Sequence, residues 1–341
     1  MKNYSDFAWY LSSFLTKYLP GEKNVSTNTI AAYRDTFRLF LLFCEKKGIA
    51  PERVTLSLLT KELILGYLDW LEQERQCSIV TRNQRLSSIH GFLKYVQKEL
   101  PENLFETQRI LGISAKKTGK TVISYLTEEE LKILFEQPKI KTKQGRRDLV
   151  LLTLLYDSAA RAQELVDLKV KDIRLTSPAV ITLHGKGNKA RQIPILGKTK
   201  ELLTGYLEEH KKYPWGIAMG DAPVFYNQKH QPLTRWGISH VLNKYVASSK
   251  ENIRFSVNFP VTPHVLRHSK AMGMLKAGIN LIYIRDFLGH SNVVTTEVYA
   301  RADSEMKRKA LEESYKDLYT EEMPKWEENE NLMQWLQDLC K

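Results

Sequence analysis

Apolar residues recur at helical spacing through the first third of the chain, and this pattern limits the fold more than any other feature. Within residues 26–47, one helical face carries the apolar side chains Ile30, Tyr33, Phe37, Phe40 and Leu41. Residues 61–74 and 79–98 repeat the pattern, and an opening helix is predicted at about residues 5–18. Four helices joined by short connections predict an N-terminal helical bundle.

Residues 101–124 interrupt this periodicity and indicate a boundary between two domains. Lys116, Lys117, Gly119 and Lys120 give this stretch a basic, glycine-containing composition that is typical of an exposed linker. A capping box follows, in which Thr127 is the N-cap and Glu130 the third helical residue. We predict a helical domain over 1–112, a basic linker over 113–123 and a second domain over 124–322.

The second domain mixes helices with one small sheet. Residues 146–168 predict an apolar helix, a short break and the start of a second helix. Two β-rich runs, 180–183 and 192–195, flank a Gly-Lys-Gly-Asn-Lys turn and predict a hairpin. Further helices are predicted at about 197–211, 233–247, 263–277 and 280–288. The fold class is therefore mainly α with a small β-sheet, a helical bundle followed by an α+β domain.

The charge of the chain favours a polyanionic partner. Its 341 residues include 51 Lys plus Arg against 39 Asp plus Glu, a formal net charge of +12. Basic proteins bind phosphate backbones because neutralised phosphates release counterions. Two domains joined by a basic linker could close around duplex DNA. A basic protein without a nucleic-acid partner, and a plain interdomain linker, fit the same composition.

The cysteines and the N-terminus indicate in which cellular compartment the protein is expected. Cys44, Cys77 and Cys340 are odd in number, far apart and without a CxxC spacing. We therefore expect neither a disulfide framework nor a zinc site. The N-terminus lacks a signal-peptide layout, and no segment reaches the roughly 18 apolar residues that a membrane span needs. A cytoplasmic protein without a membrane partner is expected.

Six residues of the second domain have side chains suited to phosphate chemistry: Arg161, Lys186, His264, Arg267, His290 and Tyr299. Taken singly, each has an ordinary structural explanation. Arg161 could pair with Glu164 on its own helix, Lys186 could be a turn lysine, and Tyr299 could lie in the core. His264 could cap its helix after a proline, and His290 could satisfy a helix C-terminus.

Taken together, their contexts and order resemble the tyrosine recombinase (phage integrase) family in its two-domain, Xer-like form. The resemblance covers about residues 126–302 and rests on AARAQEL around Arg161, HGKGNKARQIPI around Lys186, HVLRHS at 264–269 and FLGHSNVVTTEVYA ending beside Tyr299. It implies a SAM-like core-binding domain in front of the catalytic domain. One departure is Ala159, where the family usually has glycine. Alanine costs little in a helix, and only a left-handed backbone would make it unfavourable.

The resemblance also implies a mechanism. Tyr299 would attack a DNA phosphorus to form a 3′-phosphotyrosyl link, while Arg161 and Arg267 hold the non-bridging oxygens. His264 and His290 would add hydrogen bonds or help to take the phenol proton. Lys186 would protonate the leaving 5′-oxygen, and His268 would buttress the site. No metal or other cofactor is expected, and the sequence has no carboxylate cluster typical of a metal site.

Residues 323–341 form a separate C-terminal segment. Leu332, Trp335, Leu336 and Leu339 recur at helical spacing after a polar tether. Such a stripe ordinarily docks on its own domain. In relatives a terminal helix docks on the neighbouring protomer, so the resemblance implies self-association on DNA, with a tetramer as the expected assembly.

Three alternatives compete with a recombinase. A non-catalytic DNA-binding relative is disfavoured by the intact six residues. A type IB topoisomerase-like enzyme would nick and reseal without strand exchange, and the C-terminal stripe disfavours it. A metal hydrolase using His264 and His268 would lack the glutamate of an HExxH motif. Because the first helix is predicted to start near residue 5, an additional arm-binding domain is not expected. The sequence does not identify the DNA site.

Overall fold

The computed structural model describes residues 5–100, 104–119, 123–185, 189–211, 219–290, 292–302 and 330–339. The chain divides into two compact units, Met1–Thr121 and Val122–Lys341. In the described part, no helix is both long enough and apolar enough to cross a membrane.

The first unit is helical. Its α-helices are α1 (Asp6–Ser13), α2 (Thr27–Lys46), α3 (Lys61–Gln73), α4 (Ile79–Glu99) and α5 (Leu104–Leu111), and a π-helical stretch, Phe14–Glu22, follows α1. Ser26, Thr60 and Ser78 cap α2, α3 and α4 by accepting a hydrogen bond from a backbone N–H in the first turn. The rings of Phe7 and Phe92 meet edge to face, 5.7 Å between centroids, in the buried core.

Two details of the first unit differ from the sequence prediction. Helix α5 lies inside residues 101–124, which the loss of periodicity had assigned to a break. Arg82 is one of the basic residues expected on the exposed faces of the predicted helices, but it is 3% exposed and pairs with Glu72 across 3.5 Å. Asn83, the next residue, bonds both the N–H and the C=O of Lys116, at 3.0 and 2.8 Å. The start of the predicted linker is therefore attached to this unit.

The second unit begins with the predicted capping box, which is confirmed. Thr127 accepts from the Glu130 N–H, and the Glu130 carboxylate accepts from the Thr127 N–H. The helices of this unit are α6 (Glu128–Glu136), α7 (Lys143–Asp157), α8 (Ala162–Val166), α9 (Gly197–His210), α10 (Arg235–Ser249), α11 (Pro263–Lys276), α12 (Leu281–Leu288), α13 (Val294–Ala302) and α14 (Glu330–Leu339).

A three-stranded antiparallel sheet in the order β1-β2-β3 completes the second unit. It contains β1 (Ile173–Arg174), β2 (Val180–His184) and β3 (Ala190–Pro194). The predicted hairpin is confirmed as β2 and β3, with Leu183 opposite Arg191 and Ile181 opposite Ile193. Strand β1 was not predicted, because two residues are too short for an alternating pattern.

Helix α11 is a central helix of this unit. It packs against α7, α10, α12 and α13. On one side lies the main apolar core, which includes Leu155, Ile181 and Leu266. On the other lies a smaller buried cluster of Ala159, Ala271, Met272, Leu275, Ile284, Leu288 and Tyr299. The mainly α fold with a small sheet is thus confirmed.

Candidate active site

Five of the six predicted catalytic residues lie in the described part of the chain, on four neighbouring segments. Arg161 is the N-cap of α8, and His264 and Arg267 are one turn apart on α11. His290 follows the glycine that ends α12, and Tyr299 is on α13. Lys186 lies outside the described residues, in the connection between β2 and β3.

Arg267 is held by backbone carbonyl groups. Its side chain is buried, with the residue 3% exposed, and Nη1 donates to the carbonyl oxygen of Ala159 at 2.6 Å. Nη2 donates to the carbonyl of Leu288 at 2.5 Å. These carbonyls lie just after α7 and at the end of α12, where helix dipoles favour a cation. Burial, followed by repulsion from Arg161, lowers the pKa of Arg267 to about 10, so it stays charged at neutral pH.

Arg161 reaches the same turn from the other side. Its Nη2 lies 3.5 Å from the carbonyl oxygen of Gly289, the residue after Leu288. Its Nη1 donates to Glu164 at 2.8 Å, and its side chain is 37% exposed. Two guanidinium groups from distant parts of the sequence therefore converge on the carbonyls of consecutive residues. The guanidinium of Arg267 is buried, and that of Arg161 is open to solvent.

Glu164 and Arg191 join this cluster, although neither was assigned a role from the sequence. Glu164 is 4% exposed, and its two oxygens accept Nη1 and Nη2 of Arg191, each at 2.8 Å. Burial alone would raise the pKa of Glu164, but the two arginines outweigh it and lower the pKa, which keeps the carboxylate ionised. The alternation along β3 offered one indication that Arg191 points inward, because Arg191 shares a strand face with the buried Ile193.

The histidines of the site are neutral hydrogen-bonding groups at neutral pH. His268 Nδ1 lies 2.9 Å from the phenolic oxygen of Tyr299, and His290 Nδ1 lies 3.1 Å from Thr296 Oγ1. Burial, then nearby positive charge, lowers the pKa of each of these two histidines to about 4. His264 is more exposed than these two residues, but partial burial, followed by the charge of Arg267, also lowers its pKa, and its ring stacks on that of His268 with centroids 6.4 Å apart.

Tyr299 is shielded from solvent, with only 2% of the residue exposed, among the apolar side chains of the smaller cluster. Burial raises the pKa of its phenol, and the charges of Arg267 and Arg161 act in the opposite direction without cancelling it. The hydroxyl is therefore protonated at neutral pH. His268, to which the resemblance gives a buttressing role, contacts Tyr299, whereas Thr296, which contacts His290, was not predicted as a site residue.

Ala159 has the backbone conformation that the sequence analysis named as unfavourable. Its φ is +46°, in the left-handed region, and not that of a helical residue. The turn between α7 and α8 requires this conformation, and it directs the Ala159 carbonyl to Arg267. The condition under which alanine is unfavourable here is therefore met, since a left-handed L-residue costs about 1–2 kcal/mol.

The arrangement suits chemistry at a phosphate group. Guanidinium groups stay charged and donate in a planar fork, which matches phosphate oxygens. Neutral imidazoles beside them can donate or accept a proton, and the phenol supplies a nucleophile. Among the residues that the structure describes, no group of three or more His, Cys, Asp or Glu is arranged to hold a metal ion.

Two family models match the chain. The model of the phage integrase family covers residues 124–306, and the phage integrase N-terminal SAM-like domain covers residues 13–99. The y4rC protein of Sinorhizobium fredii, which carries an integrase/recombinase name, is 32% identical over 99% of this chain and 100% of its own length. Tyrosine recombinase XerC of Bacillus pumilus is 33% identical over 86% of this chain and 92% of its own length.

Solved structures share the fold at lower identity. The XerH site-specific recombinase bound to its palindromic difH substrate has a TM-score of 0.66 at 22% identity, covering 88% of this chain and 83% of that one. The Tn1549 transposon integrase in complex with transposon right end DNA has a TM-score of 0.67 at 17% identity, covering 89% and 99%.

Proposed function

The chain belongs to the phage integrase family and is an Xer-like tyrosine site-specific recombinase, and from this we propose that Arg161, Lys186, His264, Arg267, His290 and Tyr299 carry out its DNA strand exchange. One observation carries the proposal. The guanidiniums of Arg161 and Arg267 meet at the carbonyls of Gly289 and Leu288, beside the helix that carries Tyr299.

The proposed partner is double-stranded DNA. The net charge of +12 supports it, and the related XerH and Tn1549 integrase structures are complexes with DNA. We assign residues 1–112 to a DNA-binding helical domain, 113–123 to a basic linker and 124–322 to the catalytic domain. Both domains would contact the duplex, and the catalytic domain of each protomer would act on one phosphate of one strand.

The proposed reaction is a reversible transesterification. The phenolic oxygen of Tyr299 attacks phosphorus, the bond between phosphorus and the 5′-oxygen breaks, and a 3′-phosphotyrosyl link forms. Arg161 and Arg267 stabilise the added negative charge, and such fixed donors are worth about 3 kcal/mol each. Lys186 gives a proton to the leaving 5′-oxygen. His264 and His290 hydrogen-bond to the reacting groups or help to take the proton that the phenol loses. The 5′-hydroxyl of a partner strand then reverses the step on a new strand.

The nucleophile can be tested on duplexes selected by binding from a randomised pool and then nicked beside the cleavage position. The nick lets the 5′-fragment diffuse away, so a covalent adduct accumulates and is seen by denaturing electrophoresis. Tyr299→Phe should form none, whereas Tyr283→Phe, a matched change at a 70% exposed tyrosine, should retain it. An adduct in Tyr299→Phe would reject this assignment.

Lys186 has its own test. Lys186→Ala should slow adduct formation on an ordinary phosphodiester, because the 5′-alkoxide would leave unprotonated. A 5′-bridging phosphorothiolate releases a thiolate, which needs no proton. This substrate should restore most of the rate, and a variant that stayed equally slow on it would exclude Lys186 as the acid.

We further propose that residues 323–341 link protomers into a tetramer on DNA. Helix α14 exposes Trp335, Leu336 and Leu339 by 57%, 40% and 65%, an apolar stripe that favours a protein partner. Trp335→Ala combined with Leu336→Ala should reduce the tetramer on DNA, measured by analytical ultracentrifugation. Gln334→Ala with Gln337→Ala changes exposed polar residues of the same helix and serves as the control. Unchanged assembly in the apolar double variant would exclude this role.

A further inference from the structure

Arg191 contacts Glu164, the carbonyl of Phe287 and the turn at Gly289. Its fork binds both oxygens of Glu164 at 2.8 Å, and its Nε donates to the carbonyl of Phe287 at 3.0 Å. A Cβ atom added at Gly289 would lie 3.1 Å from Arg191 Nη1. Arg191 therefore connects β3 to the start of α8 and to the turn that carries His290.

The buried carboxylate of Glu164 explains why a second arginine, in addition to Arg161, is needed to neutralise its charge. Glu164 is a buried carboxylate, and besides Arg191 it accepts the backbone N–H and Nη1 of Arg161, both at 2.8 Å. A buried charge must be compensated. Without Arg191, the carboxylate would rely on Arg161 alone and would draw that guanidinium toward itself. Arg161 would then have less charge available for a phosphate.

We propose that Arg191 is a positioning residue that neutralises Glu164 and so leaves the positive charge of Arg161 available to the DNA phosphate. The proposal rests on the assignment of Arg161 as a phosphate ligand. It gives Arg191 an electrostatic role in the reaction, in addition to its contribution to folding. The Phe287 contact fixes where the guanidinium lies, while the charge on Arg191 determines how strongly Arg161 acts.

A neutral substrate separates the electrostatic role from a structural one. In a methylphosphonate, one non-bridging oxygen at the cleaved position is replaced by a methyl group, so the ground state carries no charge and needs less help from Arg161. Arg191→Gln should slow cleavage of the phosphodiester about tenfold or more, a fraction of the effect of losing a direct donor. On the methylphosphonate the deficit should shrink to about threefold or less. An equal deficit on both substrates would overturn the proposal.

Arg147 provides a matched control in the same unit. It binds buried Asp148 through Nε and Nη2, and its Nη1 donates to the Tyr226 carbonyl, so its contacts are of the same kind. It lies near the start of α7, whereas Ala159 follows the end of that helix, about 18 Å away at 1.5 Å per residue. Arg147→Gln should affect stability, and any loss of cleavage rate should be equal on the two substrates.

Two further variants keep the test decisive. If Arg191→Gln does not fold, Arg191→Lys keeps the charge without the fork, so any loss of rate should be equal on the two substrates, and a ratio shifted from that of wild type would contradict the proposal. Glu164→Gln removes the charge that Arg191 neutralises, so Arg191→Gln should cost much less in that background. Additive losses would contradict the proposal.

Wild-type protein and Arg161→Ala separate this inference from the proposed function. Arg161→Ala should show the largest relative gain on the methylphosphonate. Should wild-type protein form no adduct on either substrate, the proposed function itself would fail. If wild type and Arg161→Ala behave as expected and Arg191→Gln does not, only the role of Arg191 fails.

Discussion

The Nδ1 atom of His268 lies 2.9 Å from the phenolic oxygen of Tyr299, and their rings are 5.6 Å apart between centroids. The imidazole is neutral and the phenol is protonated at neutral pH, so the two side chains share a neutral hydrogen bond. The proposed nucleophile, Tyr299, is therefore hydrogen-bonded within an apolar cluster.

His268→Phe should destabilise the protein by about 1–3 kcal/mol, because it leaves the buried Tyr299 hydroxyl without this hydrogen-bond partner. The free energy of unfolding in urea measures the loss. The same substitution in a Tyr299→Phe background should cost less, since no hydroxyl remains to be satisfied. Equal costs in both backgrounds would show that the hydrogen bond contributes nothing.

Stability should decrease as the pH falls from about 6.5 to 4. His268 and His290 have pKa values of about 4 in the folded protein, whereas an unfolded histidine has about 6.5. Between these values the unfolded chain binds more protons, so the stability present above pH 6.5 is lost on acidification. We expect about 2–4 kcal/mol for the pair after allowance for solvent screening.

Urea unfolding at several pH values tests this slope. His268→Asn and His290→Asn should each flatten the decline between pH 6.5 and 4, whatever their stability at pH 7. A slope equal to that of wild type in both variants would rule out these histidines as its source.

Thr296→Val should slow adduct formation about 2–10-fold, because His290 loses its hydroxyl partner and one hydrogen bond is worth about 0.5–1.5 kcal/mol. Thr296 is fully buried, so valine of nearly the same shape keeps the packing. Thr296→Ser restores the hydroxyl and should recover most of the rate under single-turnover conditions. The explanation fails if the valine and serine variants cleave at the same rate.

Gly289→Ala should reduce both stability and cleavage. Gly289 has φ +64°, where alanine is strained by about 1 kcal/mol, and the new Cβ would press on Arg191 at 3.1 Å. Gly278→Ala is the matched control, since Gly278 has φ +78° and open space around its Cβ position. We expect similar losses of stability in urea, but a slower single-turnover rate only for Gly289→Ala. Equal rates for the two variants would argue against the contact with Arg191.

Ala159→Gly should change the free energy of unfolding by less than about 1 kcal/mol. Relief of left-handed strain, about 1–2 kcal/mol, is offset by the lost methyl group and by greater freedom of the unfolded chain. Ala271→Gly removes an equally buried methyl from helix α11 without relieving strain, and should cost about 1–2 kcal/mol. Equal losses in urea unfolding would mean that Ala159 is unstrained.

The sequence predicted the regular elements well because their signals are local. The spacing of Phe37 and Phe40 defines a helical face, and Thr127 with Glu130 defines a helix start, within a few residues. Strand β1 and helix α5 were missed because two residues and eight residues carry little periodicity. Elements of that length are stabilised chiefly by their neighbours.

The contacts within the site could not be predicted in the same way. Arg191 meets Glu164 across 27 residues of sequence, and His268 meets Tyr299 across 31. Such pairs depend on how α8, β3, α11 and α13 pack, and periodicity within one element does not specify that packing. The left-handed Ala159 depends likewise on the turn between α7 and α8, so a residue-type preference could not reveal it.

Arg267 is bound by two uncharged carbonyl groups, not by a carboxylate, and this has a thermodynamic consequence. Burial, followed by repulsion from Arg161 and Arg191, lowers the pKa of this uncompensated guanidinium. The protein without DNA thus carries an unfavourable electrostatic energy that an incoming anion would relieve. The enzyme should therefore resist heat better when its nucleic acid is bound.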